Sequence, residues 1–127
     1  MTDDEFFDRF GHADNFINVE DARKGIAVLR CMLDEGSGRA GFLLAMYTEG
    51  MIANRDDVRE FLTTLHNLDE CVELYRRSFP LLHWEAENGS TLAMNFLSIS
   101  YQCGIPPAPR DLEMMRYWDT RCHPAYP

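Results

Sequence analysis

Apolar residues recur at intervals of three and four along almost the whole chain, and this spacing restricts the fold more than any other feature. After Asn18, one side of an expected helix carries Ala22, Ile26, Leu29 and Leu33. Such a stripe is typical of an amphipathic helix that buries one face. The polar–apolar alternation expected of strands does not extend over any useful length. The sequence therefore predicts an all-α fold.

Capping and stop signals divide this pattern into successive helices. Asn18, Ser90 and Asp111 each precede a helical run and are expected to be N-caps, because their side-chain oxygens can accept the unpaired N–H groups of a first turn. Between the first two caps, the predicted helices cover 19–35, 37–50, 55–67, 68–79 and 80–88. A break or kink is expected near Phe79, because Pro80 cannot sit comfortably inside a helix.

Two segments of the chain look alike, EGSGRAGFLLAMYTEG (35–50) and ENGSTLAMNFLSISYQCG (87–104). The matching pairs are Gly36 with Gly89, Ala40 with Ala93, Tyr47 with Tyr101 and Gly50 with Gly104. The copies are 53 residues apart, which is longer than a usual helical-hairpin repeat. An inserted helix is therefore expected in the first copy.

This pattern resembles the Sel-one-like repeat, a relative of the tetratricopeptide repeat built from two antiparallel helices. The resemblance is strongest over 84–122. Ser98, Met115 and Cys122 stand where the family usually has Gly or Ala. The signature positions are Ala40, Tyr47 and Gly50 in the first copy, and Ala93, Leu97, Tyr101, Gly104, Asp111 and Trp118 in the second.

The resemblance implies a single domain over 1–127, built as a short right-handed superhelix of antiparallel helix hairpins. It divides the chain into a half repeat at 19–36, a repeat at 37–89 with an inserted helix, and a repeat at 90–123. The first helix of each hairpin in such arrays usually lines a concave binding side. By that analogy the outward, partner-binding positions are Gly41, Ala45, Thr48 and Glu49, then Asn95, Ile99 and Gln102. Plain solvent exposure of these positions is the alternative.

The formal net charge of −9 bears on the choice of partner. An acidic surface repels nucleic-acid phosphates and anionic membranes and attracts a basic protein. Acids in 56–61 and 68–74 could supply this attraction, although acidic surfaces also simply keep proteins soluble. The acidic start of the chain lacks the basic and apolar regions of an export signal, and no apolar run approaches the roughly 18 residues needed to cross a membrane. A cytoplasmic protein is therefore expected.

No motif for catalysis, phosphate binding or metal binding is found in the sequence. The four histidines and four cysteines lack metal-ligand spacing, and the cysteines are interpreted as inert core thiols. Paired acids such as Asp3 and Asp4 are interpreted as helix-start or solvated charges. The sequence thus predicts a non-enzyme without cofactor or metal. The alternative of another class is a small metal-dependent enzyme that uses His66, His83 or Cys71 in a cleft.

The function expected from these observations is protein binding without catalysis. The more specific hypothesis is a bacterial immunity protein that neutralises a toxin of a contact-dependent or type VI secretion system. It rests on small size, acidity, the lack of an export signal and the resemblance, because some proteins with such repeats have that role. A signalling or assembly adaptor is the neighbouring alternative, and a self-associating helical assembly is a third.

Overall fold

The structure is a computed structural model that describes residues 1–11, 16–49 and 55–123. This part of the chain forms seven α-helices and no strand, so the predicted all-α class is confirmed. The helices are α1 (Asp3–Phe10), α2 (Val19–Asp34), α3 (Gly38–Thr48), α4 (Asp56–Thr64), α5 (Leu68–Glu87), α6 (Thr91–Cys103) and α7 (Leu112–Cys122). In these residues, no helix combines the length and the apolar character needed to cross a membrane.

The predicted caps explain where three of these helices begin. Asn18 accepts a hydrogen bond from the backbone N–H of Asp21, which starts α2. Asp111 accepts from the N–H groups of Glu113 and Met114, which starts α7. Ser90 does the same for α6. Each cap satisfies donors that a first helical turn leaves unpaired.

Helix α1 is absent from the sequence-based prediction, yet it contributes to the core. Phe6 and Phe10 lie four residues apart and are both buried. Thr2 caps the helix, and Gly11 ends it in the left-handed conformation at φ 80°. A cap, an apolar pair at helical spacing and a terminal glycine are all readable in the sequence, so this helix could have been predicted.

Of the break or kink predicted near Phe79, the break is wrong, because α5 continues through Pro80 from Leu68 to Glu87. Proline removes one backbone donor and leaves the carbonyl of Arg76 without its usual partner. Both residues are exposed, so water can satisfy that carbonyl. Ser78 and Leu82 on the opposite side are fully buried. Burial on both sides of the proline therefore outweighs the lost hydrogen bond.

The two similar segments adopt the same local structure. Gly36 and Gly89 have φ values of 98° and 99°, a region that L side chains rarely adopt. A serine N-cap follows each glycine, and its hydroxyl accepts from the backbone N–H of Ala40 in one copy and of Ala93 in the other. Both alanines are completely buried. The internal similarity in sequence is thus a similarity in conformation over 36–40 and 89–93.

The core is centred on α3, which packs against α2, α4, α5 and α6, while α7 packs on α6. Phe42 of α3 joins three of these helices, since its ring centroid lies 5.3 Å from that of Tyr75 on α5 and 4.6 Å from that of Phe96 on α6. At the other end, Phe16 contacts Tyr47 with ring centroids 4.6 Å apart. The large rings therefore fill the spaces between neighbouring helices.

Candidate partner-binding surface

The predicted binding face of the first copy is largely inaccessible. Gly41, Ala45 and Thr48 are buried, so the prediction that they point outward is wrong. A Cβ atom on Gly41 would collide with the hydroxyl of Ser78 on α5 and would crowd Leu33 on α2. The small residues of α3 thus allow close helix packing and do not form an open surface. Gly50 falls outside the described residues.

Glu49, the fourth predicted position on this helix, is half-buried and engaged by α5. Its carboxylate accepts hydrogen bonds from Cys71 Sγ at 2.9 Å and from the hydroxyl of Tyr75 at 3.2 Å. Burial raises the pKa of the Cys71 thiol to about 12, and the neighbouring Glu49 carboxylate adds to this rise. Burial likewise raises the pKa of Tyr75. Both groups stay protonated at neutral pH, so this cluster fastens α3 to α5 and offers no nucleophile.

The second copy leaves its predicted positions more accessible. Asn95 and Gln102 are exposed on α6, and Ile99 is half-buried. The signature residues beside them, Ala93, Leu97 and Tyr101, are buried, as is Trp118 on α7. This helix therefore has one packed face and one open polar face.

The first half of α5 carries two exposed apolar side chains that were not predicted, beside acids of 68–74 that were. Leu68 is 68% exposed and Val72 is 49% exposed, one helical turn apart. Asp69 and Glu73 are exposed beside them. We call these four residues the α5 outer face. All four lie outside the buried stripe of α5. The two apolar residues, Leu68 and Val72, are the signal in the sequence from which this exposed face could have been predicted.

A cleft of about 280 Å³ lies between α2 and α5. Two ion pairs lie along it, Arg30–Glu70 at 2.9 Å and Arg77–Asp34 at 3.7 Å. Its apolar lining consists of Leu33, Leu44 and Leu74. Because each charge has an opposite charge within the protein, the cleft carries no strong preference for a ligand of either sign.

A buried polar network joins the starts of α3 and α6. Arg39 and Glu85 form an ion pair with side chains only 3% and 5% exposed. Glu85 also accepts from the backbone N–H of Gly38 at 2.6 Å, at the N-terminus of α3. Asp3 of α1 accepts from Arg39 at 2.7 Å and from the backbone N–H of Leu92 at 3.1 Å, in the first turn of α6. A carboxylate thus occupies each of these two helix starts.

Asp3 is the member of this network that the sequence analysis treated as a helix-start or solvated charge. It does start α1, but its carboxylate also accepts hydrogen bonds from the hydroxyls of Ser90 and Thr91 at 2.7 and 3.1 Å. Burial alone would raise the pKa of Asp3, but these bonds and those from Leu92 and Arg39 outweigh it and hold the pKa below its usual value.

The histidines and cysteines proposed for a metal site have separate roles. His83 Nε2 lies 3.1 Å from the hydroxyl of Tyr101, and burial lowers its pKa. Cys71 donates a hydrogen bond to Glu49. Within the described ranges, no group of three or more His, Cys, Asp or Glu residues is placed to hold a metal ion. All four cysteines are free, and the core prediction is wrong for Cys31 and Cys103, which are exposed.

The chain was compared with protein families, curated proteins and solved structures. No protein-family model, no curated protein and no solved structure matches the chain. The resemblance to Sel-one-like repeats therefore rests on the sequence pattern alone.

Proposed function

We propose that this chain is a non-catalytic protein-binding module whose partner is a basic protein. The observation that carries the proposal is the α5 outer face, where exposed Leu68 and Val72 adjoin the carboxylate of Asp69 and that of Glu73, which also pairs with Arg76. Apolar side chains supply the area that association buries, and the acids around them favour a positively charged surface. The overall charge of −9 speeds encounter with such a partner.

The proposed architecture is a divergent Sel-one-like array, a short right-handed superhelix in which α3–α5 and α6–α7 are successive hairpins. Its support is the positive-φ glycine, serine cap and buried alanine that open both α3 and α6. Helix α4 lies between α3 and α5 in the chain, and we assign it as the expected inserted helix. The inserted helix leads directly into the α5 outer face, so we assign partner specificity to this part of the array.

Within this role, the specific proposal is a cytoplasmic bacterial immunity protein that neutralises a toxin of a secretion system such as type VI. Its support is the acidity of the chain and the repeat pattern. A signalling or assembly adaptor would use the same surface. Only an immunity protein would protect cells from the product of the adjacent gene, and this distinguishes the two.

The test is co-expression with the product of the adjacent reading frame, followed by co-purification and a growth assay. We expect a complex and rescue of growth. The double variants Leu68→Ala/Val72→Ala and Asp69→Asn/Glu73→Gln are expected to weaken the complex at least about tenfold, which corresponds to ~1.4 kcal/mol.

Helix α7 offers a matched control, because Leu112 is 41% exposed and is followed by an exposed acid, Glu113. The variant Leu112→Ala/Glu113→Gln should bind as the wild type does. An adjacent product that neither binds nor inhibits growth refutes the immunity proposal. A complex that tolerates both α5 variants refutes the assignment of the surface.

A further inference from the structure

Another cleft of the described residues lies where the start of α1 meets the start of α3 and the last turn of α5. Its volume is about 280 Å³, and its lining includes Glu5, Arg39, Trp84 and Asn88. Pockets for cofactors and drug-sized ligands usually begin at roughly 300 Å³ and extend to about 1,000 Å³. The cleft is therefore suited to a single side chain of a partner.

Trp84 gives this cleft an aromatic wall that the fold does not use. Its side chain is 64% exposed, whereas the other tryptophan, Trp118, is 2% exposed. An indole ring attracts cations to its face more strongly than any other side-chain ring. Tryptophan is also enriched among the residues that dominate protein–protein affinity. The exposure of Trp84 at the wall of a cleft thus indicates a contact with a partner.

The charges of the cleft select the sign of that contact. Three carboxylates line it, those of Asp3, Glu5 and Glu85, together with the guanidinium of Arg39 and with Met1, which carries an α-ammonium group, so negative charges exceed positive ones by one. Arg39 is already used, since it pairs with both Glu85 and Asp3 and donates to the carbonyl oxygen of Met1 at 2.6 Å. Glu5 is exposed. The guanidinium is thus neutralised internally, and an exposed carboxylate remains at the cleft.

The orientation of the surrounding helices also favours a cation in the cleft. The last turn of α5, which ends at Glu87, brings the negative end of that helix dipole to the cleft. The opposite, positive ends of α3 and α6 are occupied by Glu85 and Asp3. The last carbonyls of α5 likewise accept bonds from within the chain, that of Glu85 from the Ser90 N–H at 3.0 Å and that of Trp84 from Asn88 Nδ2 at 2.8 Å. An anion therefore finds its donors taken, while a cation finds the exposed carboxylate of Glu5 and the ring of Trp84, and the α5 dipole adds to their attraction.

We propose that this cleft receives a lysine or arginine side chain of the partner, held against Trp84 and paired with Glu5. The inference rests on the proposed function and deepens it, because it identifies where a basic partner would be anchored. The cation would be placed between the Trp84 ring and the Glu5 carboxylate, in contact with the last turn of α5.

The test uses the blocked peptide acetyl-Gly-Arg-Gly-amide, titrated into 15N-labelled protein while the indole N–H resonances are followed by NMR. The Trp84→Phe variant assigns the Trp84 signal. We expect this signal to shift with the arginine peptide. A neutral peptide of the same shape, with citrulline in place of arginine, should leave it unmoved. The Glu5→Gln variant should bind the arginine peptide up to about fivefold more weakly, the range expected for loss of an exposed ion pair.

The matched control is Glu113→Gln, which removes an exposed acid from the first turn of α7 and should leave the titration unchanged. Equal shifts with the citrulline peptide, or no effect of Glu5→Gln, would overturn the inference. The same variants separate this inference from the proposed function. A toxin complex that is insensitive to Glu5→Gln and Trp84→Ala refutes the cleft alone. Arginine binding without any protein partner refutes the function and leaves the cleft.

Discussion

The two copies of the repeated segment begin alike and end in different surroundings. In α3, nine of the eleven residues are buried, whereas α6 buries seven of thirteen. Both start with a positive-φ glycine and a serine cap. The difference arises from their neighbours, because α2, α4 and α5 pack on α3 and leave little of it accessible, while α6 keeps an open polar side. The same local sequence thus specifies a helix start but does not specify a binding face.

The starts of the two helices also differ in how their unpaired N–H groups are satisfied. At α3 the extra acceptor is Glu85, which is 5% exposed and comes from the neighbouring helix α5. At α6 it is Asp3, which is 24% exposed and comes from the first turn of the chain. Arg39 pairs with both. This comparison predicts that the first copy depends on its carboxylate more strongly than the second.

The largest effect is expected from Glu85→Ala. This change leaves the Arg39 guanidinium buried with one carboxylate instead of two and removes the acceptor of Gly38. Removing one partner of a buried pair costs about 3–5 kcal/mol of unfolding free energy. Urea unfolding followed by circular dichroism measures this cost.

The control is Glu87→Ala, two residues later on the exposed side of α5, which should change stability by less than about 0.5 kcal/mol. If Glu85→Ala does not fold, Glu85→Gln provides the measurement, since it keeps an acceptor oxygen and should recover part of the loss. Equal stability of the Glu85 and Glu87 variants would contradict the dominant role given to the buried pair.

The sequence was sufficient to predict the all-α class and the starts of several helices. The caps at Asn18, Ser90 and Asp111 lie where the pattern indicates, because a first turn and its cap are separated by only two or three residues. Pro80 was misjudged because burial of Ser78 and Leu82 is a tertiary effect. A local rule cannot weigh such packing against one missing hydrogen bond.

The candidate site was less predictable than the fold. Small residues such as Ala45 and Thr48 are compatible with both an open surface and a tight helix seam, and only the neighbouring helices decide between them. Asp3 and Leu92 are 89 positions apart, so no helical period connects them. In contrast, the exposure of Leu68 and Val72 could have been predicted, because both lie outside the buried stripe of α5 that begins at Cys71.

A middle-sized effect sharpens the contrast between the two helix faces. Gly41→Ala should destabilise the protein by about 1–3 kcal/mol, because the added methyl group collides with Ser78 in a packed seam. Asn95→Ala on the open side of α6 should be neutral or slightly stabilising, since alanine favours helices by a few tenths of a kcal/mol. Thermal unfolding of both variants measures the difference. If Gly41→Ala were tolerated, the contact between α3 and α5 would be able to adapt to an added methyl group. The contrast between the packed α3 and the open side of α6 would then be weaker than the burial of their residues indicates.

The smallest effect concerns Asp3 and depends on pH. Its pKa is lower in the folded protein than the value of about 3.9 expected when unfolded. Its stabilising effect is therefore fully present above that unfolded value and is lost as the pH falls through the lower, folded pKa. Asp3→Asn should cost about 1 kcal/mol at pH 7, a modest value because the side chain is partly exposed. Below about pH 4 the cost should shrink.

Asp4 is the matched control for this titration, since it is exposed and adjacent in the same first turn of α1. Asp4→Asn should show a smaller cost, of a few tenths of a kcal/mol for a charge at a helix start. Urea unfolding of both variants between pH 3 and pH 7, in buffers of about equal ionic strength, separates the two. Parallel curves for Asp3→Asn and Asp4→Asn would mean that Asp3 acts only as a helix-start charge. If the two variants instead differ in stability at pH 7 and this difference disappears at low pH, the Asp3 carboxylate holds α1 to the start of α6. Glu85 has the corresponding role between α5 and the start of α3.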